Sequence, residues 1–219
     1  MKQSLPYETV IFDLDGTIAQ SAPGVFQCVT AALQRMNKPI PSEKILRKFI
    51  GPPLCHSFID FCGMTQKEAD IGVAYFRDAY IGGGIYNNST FPHIMELLCK
   101  LKEHNIQICI ATSKPEPMAK IVLEHLKITP LLDHIAGADL DERHSDKTEL
   151  IQKGLTHCNT KPEHAVMIGD THFDAYGAKQ VNTNFIGVLY GYGTREEMER
   201  EGATQFAETV PALQRMLLT

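Results

Sequence analysis

The chain has 219 residues, of which 43% are hydrophobic and 21% charged. That length suits one large domain, or a core with a smaller domain inserted, and the composition supports a packed core without a covalent staple. Lys and Arg number 21 against 26 Asp and Glu, a net charge of −5, which excludes a general nucleic-acid surface but not a small anionic substrate met by local positive charge or a metal.

Residues Met1–Glu8 include Lys2 but no apolar stretch of a signal peptide. The first apolar run, Thr9-Val10-Ile11-Phe12, is short, β-branched and aromatic, and reads as a buried strand ending in a polar turn. Val25, Phe26, Val29, Ala32, Leu33 and Met36 then share one face at helical spacing, and Pro39 and Pro41 end that helix. Further helical segments cover 42–49, 53–62 and 65–80, and no strand signal lies between 18 and 88. Tyr75, Phe76 and Tyr80 read as packing within this block.

Alternation resumes after Pro92. Ile94, Leu97, Leu98 and Leu101 form a helical stripe, and 106–111 is a strand. Met118, Ile121, Val122 and Leu126 mark a helix, and Ile135 begins a short strand. A helix starts near Lys147, strands cover 165–168 and 184–189, and a last helix covers 210–218. The pattern predicts an α/β fold whose mostly parallel sheet is flanked by helices, interrupted by an all-helical insert. The core is expected over 1–17 and 90–219 and the insert over 18–89, with 17–22 and the glycine-rich 82–92 as hinges or loops.

The cysteines, Cys28, Cys55, Cys62, Cys99, Cys109 and Cys158, form no CxxC pair. Reduced, structural thiols and a cytoplasmic location are expected. No apolar run approaches the roughly 20 residues that span a bilayer.

Candidate chemistry lies at strand ends, where α/β sheets bind ligands. Asp13 and Asp15 follow the first strand, and an extended chain points both the same way. Two such carboxylates need a neutralising partner, and a hard divalent cation such as Mg²⁺ suits oxygen ligands. Gly16 permits a sharp turn, although a surface turn uses the same residues. Asp170 and Asp174 follow another strand and would complete a carboxylate cluster with Asp13, or else Asp170 would only cap a helix. Thr112 and Ser113 follow a third strand, before Pro115 and Pro117 at a helix start, and suit phosphate binding or simple capping. Asp146 and Glu149 have capping-box spacing, which puts Lys147 in a first helical turn. A cation there opposes the helix dipole, so an anion it must meet explains it better. Lys114 is the competing lysine. His56, His93, His144 and His172 lack zinc-motif spacing and read as surface or packing residues.

The set Asp13-Leu14-Asp15-Gly16-Thr17, Thr112, Lys147 and Gly169-Asp170-x-x-x-Asp174 resembles, in order, the four motifs of the haloacid dehalogenase superfamily. The insert resembles that superfamily's C1 cap. Ile50-Gly51-Pro52-Pro53-Leu54, Ala111-Thr112-Ser113-Lys114-Pro115 and Gly191-Tyr192-Gly193 resemble its phosphoglycolate-phosphatase-like branch. The resemblance implies a Rossmann-like core and an Mg²⁺-dependent phosphate-monoester hydrolase, monomeric or homodimeric, acting on a small phosphorylated metabolite such as phosphoglycolate, a nucleoside monophosphate or a sugar phosphate.

It implies that Asp13 attacks phosphorus to form an aspartyl-phosphate, and that Asp15 serves as acid and then base. Thr112, the Ser113 N–H and Lys147 would hold the phosphoryl group. Mg²⁺ would take the Asp13 carboxylate, the Asp15 carbonyl and Asp170, with Asp174 direct or through water. Asp15 marks phosphoryl rather than dehalogenase chemistry. Arg47, Lys48 and Gly51 fall where the cap sets specificity, though a solvated helix face explains the two cations as well. A phosphomutase is the nearest rival. A phospho-aspartate signalling domain uses similar groups, but is shorter and lacks the insert.

Overall fold

The computed structural model describes residues 5–140 and 146–219, so His144 and Ser145 lie outside the described residues. Two compact units emerge: one joins the residues up to Ala19 to those from Thr90 onward, and the other is Gln20–Ser89.

The larger unit is built on a six-stranded sheet. Its strands are β1 (Thr9–Phe12), then, with β2 (Ala19–Gln20) and β3 (Ser89–Thr90) in the chain between, β4 (Gln107–Pro115), β5 (His134–Ala138), β6 (Ala165–Gly169), β7 (Asn184–Val188) and β8 (Phe206–Ala207). The spatial order is β5-β4-β1-β6-β7-β8, and every ladder is parallel. The central strand β1 is buried along its whole length, as a parallel strand covered on both faces must be. Its alternate residues serve opposite faces. Ile11, Cys109, Ala111 and Met167 pack with Leu150, Ile151 and Leu155 of α7 (Lys147–Cys158) and Ala178 of α8 (His172–Val181). Val10, Phe12, Ile108 and Ile110 fall on the other face and are fully buried. Each large apolar side chain so buried contributes roughly 1.5–3 kcal/mol.

The register fixes where chemistry can occur. Phe12 lies level with Ile110 of β4 and Ile168 of β6, so the segments after all three emerge at one sheet edge. The Asp13 N–H still donates to the Ile168 carbonyl at 2.9 Å, so Asp13 is held by the ladder itself.

The smaller unit contains α1 (Ala22–Arg35), α2 (Glu43–Leu46), α3 (Leu54–Cys62) and α4 (Gln66–Ile81), with 3-10 turns at Arg47–Phe49 and Gly84–Tyr86. Helix α1 buries Gly24, Val25, Cys28, Val29, Ala32 and Leu33, leaving the expected core residues Phe26 and Met36 only half-buried. Phe76 and Tyr80 are buried and stack 5.5 Å apart, which is packing as the sequence suggests. Thr65 and Glu68 form a capping box at the start of α4.

Five elements depart from the sequence expectations. Strands β2 (Ala19–Gln20) and β3 (Ser89–Thr90) pair as a separate two-stranded sheet, β2 within 18–88, where no strand signal was read, and β3 just after it; two-residue strands are too short to show alternation. Helix α9 (Arg195–Arg200) and strand β8 were unexpected because the helix is charged nearly all round, burying only Met198. Strand β4 continues past Ala111 to Pro115, with a register irregularity between Thr112 and Pro115. Proline holds its predecessor in extended backbone, which carries the strand forward. Helix α6 (Glu116–His125) therefore starts after Thr112 and Ser113, which sit in the strand extension rather than at a helix N-terminus. Helices α5 (Ile94–Glu103) and α10 (Val210–Leu218) complete this unit.

Candidate active site

Asp13, a buried residue only 7% exposed, follows β1. Helix α7 starts with Lys147, and Asp146 caps it by accepting from the Thr148 N–H at 2.7 Å. This cap fixes the direction in which the first residue projects. The Lys147 ammonium lies 2.5 Å from Asp13 Oδ1 and 2.6 Å from Asp174 Oδ1, and donates to the Ala111 carbonyl at 2.9 Å. A lysine at a helix N-terminus is thus answered by two carboxylates.

Asp170 follows β6 and is fully buried. Its Oδ2 accepts from the Tyr192 N–H at 2.7 Å, and its Oδ1 accepts from Thr17 Oγ1 at 3.4 Å. The helix cap falls to Thr171 instead. Asp174 Oδ2 accepts from the Thr171 N–H at 3.1 Å and from its hydroxyl at 2.8 Å. Asp174 therefore closes its own helix with one oxygen and offers the other to Lys147.

Glycine permits this density around Asp170. At Gly16, φ is +90° and an added Cβ would collide with the Asp170 carboxylate. A Cβ at Gly191 would strike the same side chain. Tyr190 donates its hydroxyl to the Thr17 carbonyl at 3.2 Å, tying this loop to the turn after β1.

Electrostatics follow from burial. Asp13, Asp170 and Asp174 each offer an oxygen within 4.8 Å of the others. Burial, then Asp174, lifts Asp13 to about 7 against the pull of Lys147. Burial, with Asp13 and Asp174 beside it, raises Asp170 well above the usual carboxylate range. Burial alone would lower Lys147, but the Asp13 and Asp174 charges outweigh it and hold the ammonium above its ordinary value. Asp13 and Asp174 share the one ammonium with Asp170 beside them, so three neighbouring carboxyl groups have one cation and the cluster is short of positive charge. The donors are all oxygen, the set that suits a hard divalent ion.

Asp15 is handled separately. Lys114 grips it from β4, with Nζ 2.9 Å from Oδ1 and 2.7 Å from Oδ2. Asp13 and Asp15, expected to share one cation, pair with different lysines because the chain turns at Gly16 and the Gly16 N–H donates to the Ala19 carbonyl. Thr112 is buried, and its hydroxyl accepts from the Lys114 N–H at 3.2 Å. Ser113 is its half-buried neighbour.

The competing lysines are thus both used. Lys114 was undervalued because nothing in its spacing distinguished it from a surface lysine. Tyr190 and Tyr192 were missed as supports of this loop. The glycines flanking Tyr192 were the available signal, since close backbone approach demands them. Arg47, Lys48 and Gly51 lie in the other unit and are exposed. Arg47 pairs with Glu43 at 2.9 Å, and Lys48 sits 5.4 Å over the Phe61 ring. His56 and His93 are exposed, and His172 packs on Phe173.

Comparison with known proteins places the chain among relatives. The chain is 33% identical over 214 residues, covering 98% of itself and 97% of the relative, to a protein of Pseudomonas aeruginosa named 5'-nucleotidase. It is 32% identical over 197 residues, 90% of this chain and 67% of the relative, to Tyrosine-protein kinase PtkA of Mycobacterium tuberculosis. A crystal structure of a predicted phosphatase from Clostridium acetobutylicum superposes with a TM-score of 0.89 at 36% identity, covering 97% and 98% of the two chains. A more distant relative, Phosphoglycolate phosphatase 1 of Pseudomonas aeruginosa, is 26% identical over 204 residues, 89% of this chain and 74% of its own. The family model for haloacid dehalogenase-like hydrolases matches residues 10–188, from β1 through β7, and with these relatives it shows that the chain belongs to that family.

Proposed function

We propose that this protein hydrolyses phosphate monoesters of small metabolites, with Mg²⁺ as its cofactor and Asp13 as nucleophile. The observation that carries this reading is the buried ammonium of Lys147 shared between Asp13 and Asp174, with Asp170 beside them. A dianionic phosphoryl group entering such a site needs cationic partners, and phosphoryl transfer rests mainly on positioning and charge stabilisation.

Each residue then has a task. Asp13 forms a bond to phosphorus as the ester oxygen leaves, giving an aspartyl-phosphate. Asp15 gives its proton to the leaving oxygen and later takes one from the attacking water. Lys114, at 2.7 Å, holds that carboxylate in one orientation. Thr112 Oγ1, the Ser113 N–H and Lys147 Nζ hold the phosphoryl oxygens. Asp13, the Asp15 carbonyl, Asp170 and Asp174 would hold Mg²⁺. When bound, that ion neutralises charge developing on the phosphoryl group. The unit Gln20–Ser89 serves as the cap that selects substrate.

Nucleoside monophosphates are the first substrates to test, followed by phosphoglycolate and sugar phosphates. The relative named 5'-nucleotidase, similar along its whole length, favours that order. The relative named a tyrosine-protein kinase supports a second reading, in which an acceptor other than water takes the phosphoryl group. A phosphomutase is one form of that reading. Phosphate release across these classes with Mg²⁺, using Asp13→Asn as control, tests both. Free phosphate in water supports hydrolysis. Phosphate retained on an added acceptor supports transfer. Turnover by Asp13→Asn equal to that of the parent would remove Asp13 from the nucleophile role.

A further inference from the structure

Cys109 and Cys158 have no task in phosphoryl chemistry, and Cys158 lies at the end of its helix remote from the carboxylate cluster. Cys109 points from β4 toward α7, and Cys158 ends that helix. Lys147 is at the opposite end of α7, about 16 Å away at 1.5 Å per residue. The two sulfurs are 3.0 Å apart, and both thiols are free. Helix α7 approaches β4 closely at this point: a Cβ at Gly154 would lie 3.5 Å from Cys109 Cβ. Gly154 and Cys158 are four residues apart on one helix face, so the glycine that lets the helix approach also brings the sulfurs together.

We propose that Cys109 and Cys158 are a modification site, at which mild oxidation by a peroxide closes a disulfide between β4 and α7. Bond formation needs the sulfurs to close from 3.0 Å to the roughly 2.05 Å of a disulfide.

The two thiols are not equivalent. Cys109 is fully buried, whereas Cys158 keeps 7% exposure at the helix C-terminus. The hydrogen bond between the two sulfurs holds Cys158 below the ordinary thiol range, and the same bond together with burial raises Cys109. Cys158 is therefore the attacking thiolate. It attacks a peroxide oxygen, the O–O bond breaks, and one water leaves after protonation, giving a sulfenic acid. The Cys109 sulfur then attacks that sulfur, its proton and the departing hydroxide form a second water, and the disulfide closes. Two thiols lose two electrons and one peroxide gains them.

The loop closed spans residues 109 to 158, which restricts the unfolded chain substantially. Oxidation of the folded protein should therefore raise its thermal midpoint, by on the order of 10 °C, reversibly with dithiothreitol. The test treats the reduced full chain with a small excess of hydrogen peroxide, then reads intact mass, non-reducing peptide maps and thermal midpoint. The expected result is loss of two hydrogens, a Cys109–Cys158 peptide pair and a raised midpoint. Cys158→Ser and Cys109→Ala should show neither the pair nor the rise, while Cys99→Ser should show both. Oxygen uptake without that peptide pair in the parent protein overturns the proposal, as does a pair that forms with no rise in midpoint. The mass and map measurements on the parent keep the test decisive even if a cysteine variant folds poorly.

Discussion

Replacing Lys147 with Met removes the ammonium while retaining an unbranched side chain of similar length. In the parent, Lys147 Nζ is 2.5 Å from Asp13 Oδ1 and 2.6 Å from Asp174 Oδ1, and only 6% of the side chain is exposed. The variant leaves Asp13 and Asp174 without their shared cation beside a third buried carboxyl, Asp170, and strands the Ala111 carbonyl that accepted at 2.9 Å. Breaking a buried pair from one side costs about 3–5 kcal/mol. A domain of ordinary stability has only about 5–15 kcal/mol in total, so the loss should be plain in a urea titration. Measured with a chelator present, the Lys147→Met midpoint should fall with little change in slope. Lys147→Arg keeps the charge and should lose less. A Lys147→Met protein within about 1 kcal/mol of the parent would show that the ammonium does not compensate these carboxylates, and the electrostatic account of the site would fail. Phosphate release by the folded fraction should also drop by about 10²-fold or more, as when one stabilising donor is removed from a transition state.

Three further outcomes follow from other parts of the molecule. Mg²⁺ at 100 times its dissociation constant should stabilise the folded parent by about 2.7 kcal/mol, and Asp170→Asn should abolish that rise in thermal midpoint; an equal rise in both proteins would place the ion elsewhere. Phe12→Ala, at a fully buried position on the central strand, should cost about 3–5 kcal/mol by denaturant titration. Lys38, followed by Thr65, pulls Glu68 down to about 2 from 4.5. A depressed carboxyl contributes stability that is full above 4.5 and lost as pH falls through about 2, so the parent's advantage over Glu68→Gln in thermal midpoint should shrink across that window.

Legibility in the sequence varied with the length scale of the signal. The strands ending at Phe12 and Gly169 were readable because both are continuous apolar runs, the mark of a strand covered on both faces. Lys147 was readable for a different reason: its position in a capped first turn is unfavourable unless an anion answers it, and two do. What escaped was local geometry with no periodic trace. Whether Asp170 or Thr171 caps α8 turns on one residue, and both are good caps. The extension of β4 to Pro115 depends on proline's effect on its neighbour overriding an otherwise plausible helix start. Lys114 shows the limit most clearly. Its partner Asp15 stands 99 positions earlier, and only the parallel register of β1 with β4 brings them to one edge. The Cys109–Cys158 pair has the same origin, since 49 positions separate the sulfurs and no spacing rule relates them. Residues that act through one element leave a pattern in the chain, whereas residues that meet across the sheet leave none until the strand order is known.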